Sequence, residues 1–228
     1  MSDSVRSVVS RLEGGLVPLR IEAERLIGPD AVMDPPSGAA LISHRPKIAP
    51  GAYACVIFPG VTAEKITRYE QIQHNVGNRT FEIPAAYREA LMNLNGGWIF
   101  QLALYGLPPS MCSIPQQLDR SKRQPLDIGL ANQDWCRKYS PLPSQFHFGS
   151  GPYSWEENLG YFLEPNSRVI ALRQGGLRVS EWPSIAAFMD AEISRARSEY
   201  REFEARMGAV IQAASNGASK SKSKKRTR

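Results

Sequence analysis

The stretch IPAAYREALMNLNGGW, residues 83–98, decides how the rest of the chain is read. Pro84 suits a first helical position, where its missing N–H has no partner to lose. Tyr87, Ala90, Leu91 and Leu94 then recur at helical spacing and form one apolar stripe over about three turns. Asn95, Gly96 and Gly97 follow. These residue types tolerate the left-handed conformation that ends helices, so the three are expected to form a structural turn. Two glycines without further motif do not make a phosphate loop. Behind the turn, WIFQLALYGL (98–107) places Trp98, Phe100, Leu102 and Leu104 at alternate positions, which predicts a single strand against a core.

Working outward, AYACVIF (52–58) predicts a strand, and Pro59-Gly60 turns the chain. Thr62 is placed to cap a helix whose first turn holds Glu64 and whose buried stripe is Ile66, Tyr69, Ile72 and Val76. Residues 1–50 are expected to form an extension packed on the main domain. Its two short helices would end near Gly14-Gly15 and Gly28-Pro29, followed by the connector DPPSGAA. Residues 108–145 are rich in proline and polar groups, with the basic patch DRSKR and a short helix around LDIGLANQDW. After QFHF, the runs ENLGYFLE and RVIALRQ flank Pro165-Asn166-Ser167 and predict an antiparallel meander. From Pro183 a long helix follows, with Ile185, Phe188, Met189, Ile193, Ala196, Tyr200, Phe203 and Met207 recurring every three or four residues. The expected fold is α+β: a largely antiparallel sheet with two helices before it and a long helix after it. The domain would span 51–212, and 213–228 would be a disordered basic tail.

A chain of 228 residues with 42% hydrophobic content suffices for one sizeable core. The net charge of +6 is concentrated. SKSKSKKRTR at 219–228 carries Lys220, Lys222, Lys224, Lys225, Arg226 and Arg228; removing these six from 28 basic residues leaves 22, matched by 22 acidic ones. A neutral body argues against a dedicated nucleic-acid-binding fold and leaves weak, non-specific contact through the tail. Cys55, Cys112 and Cys136 have neither disulfide-framework nor zinc spacing. No secretory signal or run of about 18 apolar residues occurs, so no membrane partner and a cytoplasmic setting are expected.

Candidate chemistry is sparse. No motif links His44, His74 and His147. A Cys136–His147 dyad is the one conceivable nucleophilic pair, weighed against a buried thiol and a surface histidine. Asp134, Glu156, Glu157 and Glu164 lack metal-ligand spacing, so neither a metal nor another cofactor is expected. GSGPYSWEENLG (149–160) is the candidate partner-binding surface: Tyr153 and Trp155 as aromatic anchors beside Glu156 and Glu157. Its alternative reading is a glycine turn with the tryptophan packed on the sheet edge.

Five segments in order resemble the SUKH superfamily, which includes the fungal Smi/Knr cell-wall regulators and many bacterial immunity proteins. FPGVTAEKITRYEQ (58–71) is similar to the first family helix, and IPAAYREALMNLNGG (83–97) to the second with its stop. FHFGSG (146–151) resembles the family's turn, placing Phe148 and Gly149 in a structural turn. GYFLEPNSRVIAL (160–172) resembles the late hairpin and EWPSIAAFM (181–189) the start of the last helix. The resemblance covers about residues 52–200. It implies an α+β fold and a non-enzymatic protein-binding domain, an immunity protein that neutralises a bacterial toxin by direct binding. The alternative it implies is an intracellular scaffold or regulatory adaptor of the Smi/Knr type. The same scaffold serves many partners, so the partner does not follow from the fold.

Overall fold

The computed structural model describes residues 4–27, 32–33, 40–43, 53–78, 80–108, 125–151 and 159–224. Helix α1 (Val5–Ile27) is followed by strands β1 (Val32–Met33), β2 (Ala40–Ser43) and β3 (Tyr53–Pro59). Helices α2 (Ala63–Asn75) and α3 (Ala85–Asn93) lead to β4 (Leu94–Ile99) and β5 (Leu102–Gly106). Then come β6 (Leu126–Asp127), α4 (Ile128–Gln133), a 3₁₀ turn (Trp135–Tyr139) and β7 (Phe146–Gly151). Strands β8 (Leu159–Leu163), β9 (Val169–Arg173) and β10 (Arg178–Trp182) precede α5 (Ile185–Lys224). The sheet order is β1-β2-β3-β4-β5-β7-β8-β9-β10, with every neighbour antiparallel; β6 alone pairs in parallel, with β5. The fold is α+β, with a long helix after the sheet.

Both faces of the sheet's later half are covered, and the sequence period shows how. On β8 and β9, Tyr161, Leu163, Val169 and Ala171 join the main core, to which α1, α3 and α5 contribute. The alternate residues Phe162, Ile170 and Leu172 form a second cluster with Tyr139 of the 3₁₀ turn. Burial on both faces explains why GYFL and VIAL read as unbroken apolar runs. The hairpin predicted at Pro165-Asn166-Ser167 joins β8 to β9, with Ser167 at φ 65°. The outermost strand, β10, is exposed and carries a register shift at Val179. Arg168 and Arg178 form ion pairs there with Glu181, and Arg178 also pairs with Glu164.

The decisive stretch folds differently from its predicted helix-turn-strand form. Pro84 is the N-cap residue rather than the first helical one, and α3 ends at Asn93, with Leu94 already extended at φ −151°. Asn95, Gly96 and Gly97 lie inside β4, not in a turn. The 98–107 run is two strands, reversed at Phe100 and Gln101; Phe100 takes φ 57° and donates its N–H to Ala54 O. Gly96 and Gly97 have positive φ, 72° and 156°, but crowding matters as much. A Cβ on Gly97 would stand 2.3 Å from Val56 O, and one on Gly96 2.7 Å from Leu104 O. The glycines let neighbouring strands close in on both sides. Phe148 and Gly149 likewise lie within a strand, β7, at a register shift against β8. Their glycine-containing sequence marks a bulge, not a turn.

Three further expectations are revised. The N-terminal segment is one helix through Gly14 and Gly15, and its Val5, Val8, Val9 and Leu12 are buried in the main core. Gly15 faces the Arg197 guanidinium of α5, and Arg11 bonds Asp190 at 2.8 Å; this packing overrides the intrinsic cost of helical glycine. In α2 the apolar stripe holds for Ile66 and Tyr69, whereas Ile72 is exposed and Val76 lies beyond the helix end. The buried position there goes to Glu70, whose carboxylate accepts from Ile83 N–H at 2.8 Å and pairs with Arg88. The last helix continues through 213–224, where a disordered tail was expected, and 225–228 lie outside the described residues. Alanine and lysine, which recur in this segment, have favourable helix propensity.

Substituting Gly97→Ala is expected to cost about 3 kcal/mol, because the added methyl meets a backbone oxygen. Gly77→Ala, also at positive φ but with open space around it, should cost only about 1 kcal/mol. Urea unfolding of the two variants measures the difference.

Candidate functional site

Between the α2–α3 connection and the segment after α4 lies a groove of about 540 Å³. Phe81, Glu82 and Pro84 contribute to one side, and Arg137, Pro141 and Leu142 to the other. Asn132, Cys136 and Phe146 also line it. The first wall is fixed by α2: the His74 ring nitrogen Nε2 donates to Phe81 O at 2.8 Å, and Glu70 holds Ile83 N–H. The Phe81 and Phe146 rings pack at a centroid distance of 5.9 Å. On the opposite wall, Gln145 accepts from Leu142 N–H at 2.9 Å through its side chain and donates its own N–H to Leu142 O. Leu142 is thereby held outward, 63% exposed.

The short helix α4 carries that second wall and is anchored at both ends. Asp127 caps it, accepting from Gly129 N–H at 2.8 Å and Leu130 N–H at 3.3 Å. The same carboxylate accepts from the Tyr69 hydroxyl at 2.5 Å, and the hydroxyl in turn accepts from Gly129 N–H at 3.0 Å. Burial, then the bond to Asp127, pushes the Tyr69 pKa upward, so the phenol stays a donor. A Cβ on Gly129 would lie 2.3 Å from that hydroxyl, so the contact requires glycine. At the other end, Asn132 donates to Ile128 O and to His147 O at 2.9 Å each, and accepts from His147 N–H at 2.8 Å. Its amide serves β7 as a neighbouring strand would.

The sequence leads one to expect a surface histidine at His147. It does point away from Phe146 and Phe148, but α4 and the 3₁₀ turn cover that face and leave it 0% exposed. Its ring stacks on Phe162 at 4.5 Å and meets Tyr105 and Tyr139 edge-on. Nδ1 lies 3.2 Å from Ala131 O, a carbonyl, so it carries the proton; Nε2 is buried with no hydrogen-bond partner. Burial pushes the pKa down to about 4, only partly offset by the Ala131 and Gly149 carbonyls.

The Cys136–His147 dyad is not formed. Cys136 bonds Asn132 O at 3.1 Å, while the His147 ring is directed to Ala131 O. Burial raises the Cys136 pKa, which keeps the thiol protonated. Cys55 is fully buried and pushed up to about 12. Asp134 pairs with Arg137, and Glu164 with Arg178. Among the described residues, no group of three His, Cys, Asp or Glu is placed to hold a metal, and no helix is long and apolar enough to cross a membrane. Tyr153, Trp155, Glu156 and Glu157 lie outside the described residues. Asn95 is a buried structural residue, accepting from Leu107 N–H at 2.8 Å.

Sequence reasoning missed the groove, Asn132 and the Tyr69–Asp127 clamp. Only Asp127 had a local signal, as an acidic residue directly before Ile128 and the short helix. The Tyr69–Asp127 bond joins positions 58 residues apart and the Asn132–His147 bonds positions 15 apart, with no spacing rule to reveal either. Asn132→Ala strips partners from buried backbone groups, and a loss of about 2–3 kcal/mol in urea unfolding is expected. Compared with known proteins, the chain matches no family model, no curated protein and no solved structure at a significant level.

Proposed function

We propose that this chain is a protein-binding domain without catalysis of its own, and that the groove between residues 78–84 and 136–146 receives a segment of its partner. The observation that carries this reading is the groove's composition. Phe81 and Phe146 lie among Pro84, Pro141 and exposed Leu142, with Glu82 and Arg137 supplying charges of opposite sign. Interfaces favour such an apolar and aromatic centre with a charged rim. The nearby groups able to do chemistry are committed elsewhere: His147 to the second core, Cys136 to Asn132 O and Asp127 to capping α4.

The SUKH resemblance makes a bacterial toxin the first partner to test, with neutralisation by occlusion of its working surface. A regulatory adaptor of the Smi/Knr type is the alternative, supported if the gene sits in a signalling operon rather than beside a toxin gene. Tyr153 and Trp155, which follow β7 in the chain, remain candidates for a second contact. The basic residues of 219–228 add a weak, salt-sensitive attraction to polyanions.

The test is isothermal titration against the product of a neighbouring candidate toxin gene, comparing wild type with Leu142→Asp and Arg137→Glu. Both side chains are exposed, so the fold should be retained. Leu142→Asp is expected to weaken binding by about 2 kcal/mol, and Arg137→Glu chiefly to slow association. Tight binding unaffected by either change, but lost in Trp155→Ala, would move the interface to the stretch that contains Tyr153 and Trp155.

A further inference from the structure

The groove wall formed by α4 and the 3₁₀ turn is held to the sheet through His147. Asn132 grips the backbone of that residue, Ala131 O accepts from its ring Nδ1–H, and Tyr139 packs against the ring. Asn132 and Cys136, from the same segment, line the groove. The chain from 128 to 139 is therefore both wall and lid over a buried imidazole whose Nε2 has no partner. A proton arriving at Nε2 would create a buried cation among Phe162, Tyr105 and Tyr139, which the Gly149 carbonyl compensates only in part.

We propose that His147 gates the groove, its protonation releasing the α4–3₁₀ segment from the sheet and dismantling the wall that Asn132 and Cys136 contribute. The proposal rests on the groove reading only for its functional meaning; the release itself is a property of the chain alone. The groups facing the ring favour this response. Tyr105 of β5 and Tyr139 of the 3₁₀ turn meet the ring in T-shaped contacts, Phe162 of β8 stacks on it, and the acceptors beside it are the carbonyls of Ala131 in α4 and Gly149 in β7. Lys138, whose Nζ sits 4.9 Å from the Tyr139 ring centroid, adds positive charge that opposes protonation. Cys136 packs on the same cluster as a protonated thiol. When the segment lifts, the ring regains water and its ordinary basicity.

The sign follows from the depressed folded value. The closed segment prefers neutral His147, so closure is fully favoured above the open-state pKa of about 6.5 and is lost progressively as pH falls towards 4. Between pH 7.5 and pH 5 the opening equilibrium should rise about thirtyfold, since the open state takes up a proton that the closed state resists.

Hydrogen–deuterium exchange of the full chain, read by mass spectrometry and corrected for the intrinsic pH dependence of exchange, tests the gate without a partner. Peptides covering 128–139 are expected to lose protection about thirtyfold over that range, while β8 and β9 peptides keep theirs. His147→Phe, which cannot titrate, should abolish the selective loss. Should that variant fail to fold, the wild-type imidazole is followed by NMR; its titration must then coincide with release of the segment. Unchanged protection at pH 5, loss shared equally by the whole sheet, or the same loss in His147→Phe would each overturn the gate. Failure of the toxin titration with an intact exchange response would overturn the groove's function and leave the gate standing.

Discussion

Strand β5 changes partner along its length, and much of the molecule answers the polar groups uncovered there. Ala103 and Leu104 pair with β7, but Tyr105 and Gly106 pair with β6. Beyond the fork, backbone groups on both strands lose a sheet neighbour in a buried setting, where an unmade hydrogen bond costs about 1–3 kcal/mol. Side chains take the neighbour's place. Asn132 satisfies both N–H and C=O of His147, Asn95 does the same for Leu107, and the Tyr87 hydroxyl lies within hydrogen-bonding distance of Tyr105 O and Phe148 O. Without these substitutes, neither α4 nor the groove it borders would have a fixed position.

The local parts of this architecture were legible, because they rest on short-range rules. Thr62 does cap α2, accepting from Lys65 N–H at 3.4 Å, and Glu64 sits in its first turn. The β8–β9 hairpin and the buried stripe of α5 from Ile185 to Ala196 also follow from residue order and period. What escaped was whatever depends on a second element. Gly96 and Gly97 look like a helix stop because glycine signals both positive φ and close approach, and only the neighbouring strands reveal that both apply. The alternation from Trp98 to Leu104 passes unbroken through a hairpin because both arms are buried, so the period does not register the reversal at Phe100.

His147 shows the same limit at the candidate site. Alternation correctly assigns it to the face opposite Phe146 and Phe148, but alternation does not say whether that face meets water. The cover comes from α4 and the 3₁₀ turn, short elements with a weak period of their own. The groove arises from the meeting of that cover with the α2–α3 connection. A concave surface made by two sequence-distant segments has no linear signature, whereas the aromatic and acidic residues of 153–157 do, which is why the sequence directs attention to them first.

The exposed strand β10 has a consequence for assembly. A final strand with free backbone groups is a template on which another molecule's strand can add, and successive additions have no natural end. Here the register shift at Val179 breaks the regular ladder, and Glu181 draws in Arg168 and Arg178 along the flank. An incoming strand would have to desolvate these ion pairs and match a bent ladder. The margin of the sheet thus acts as a barrier to open-ended polymerisation, and its electrostatic share weakens as ionic strength rises.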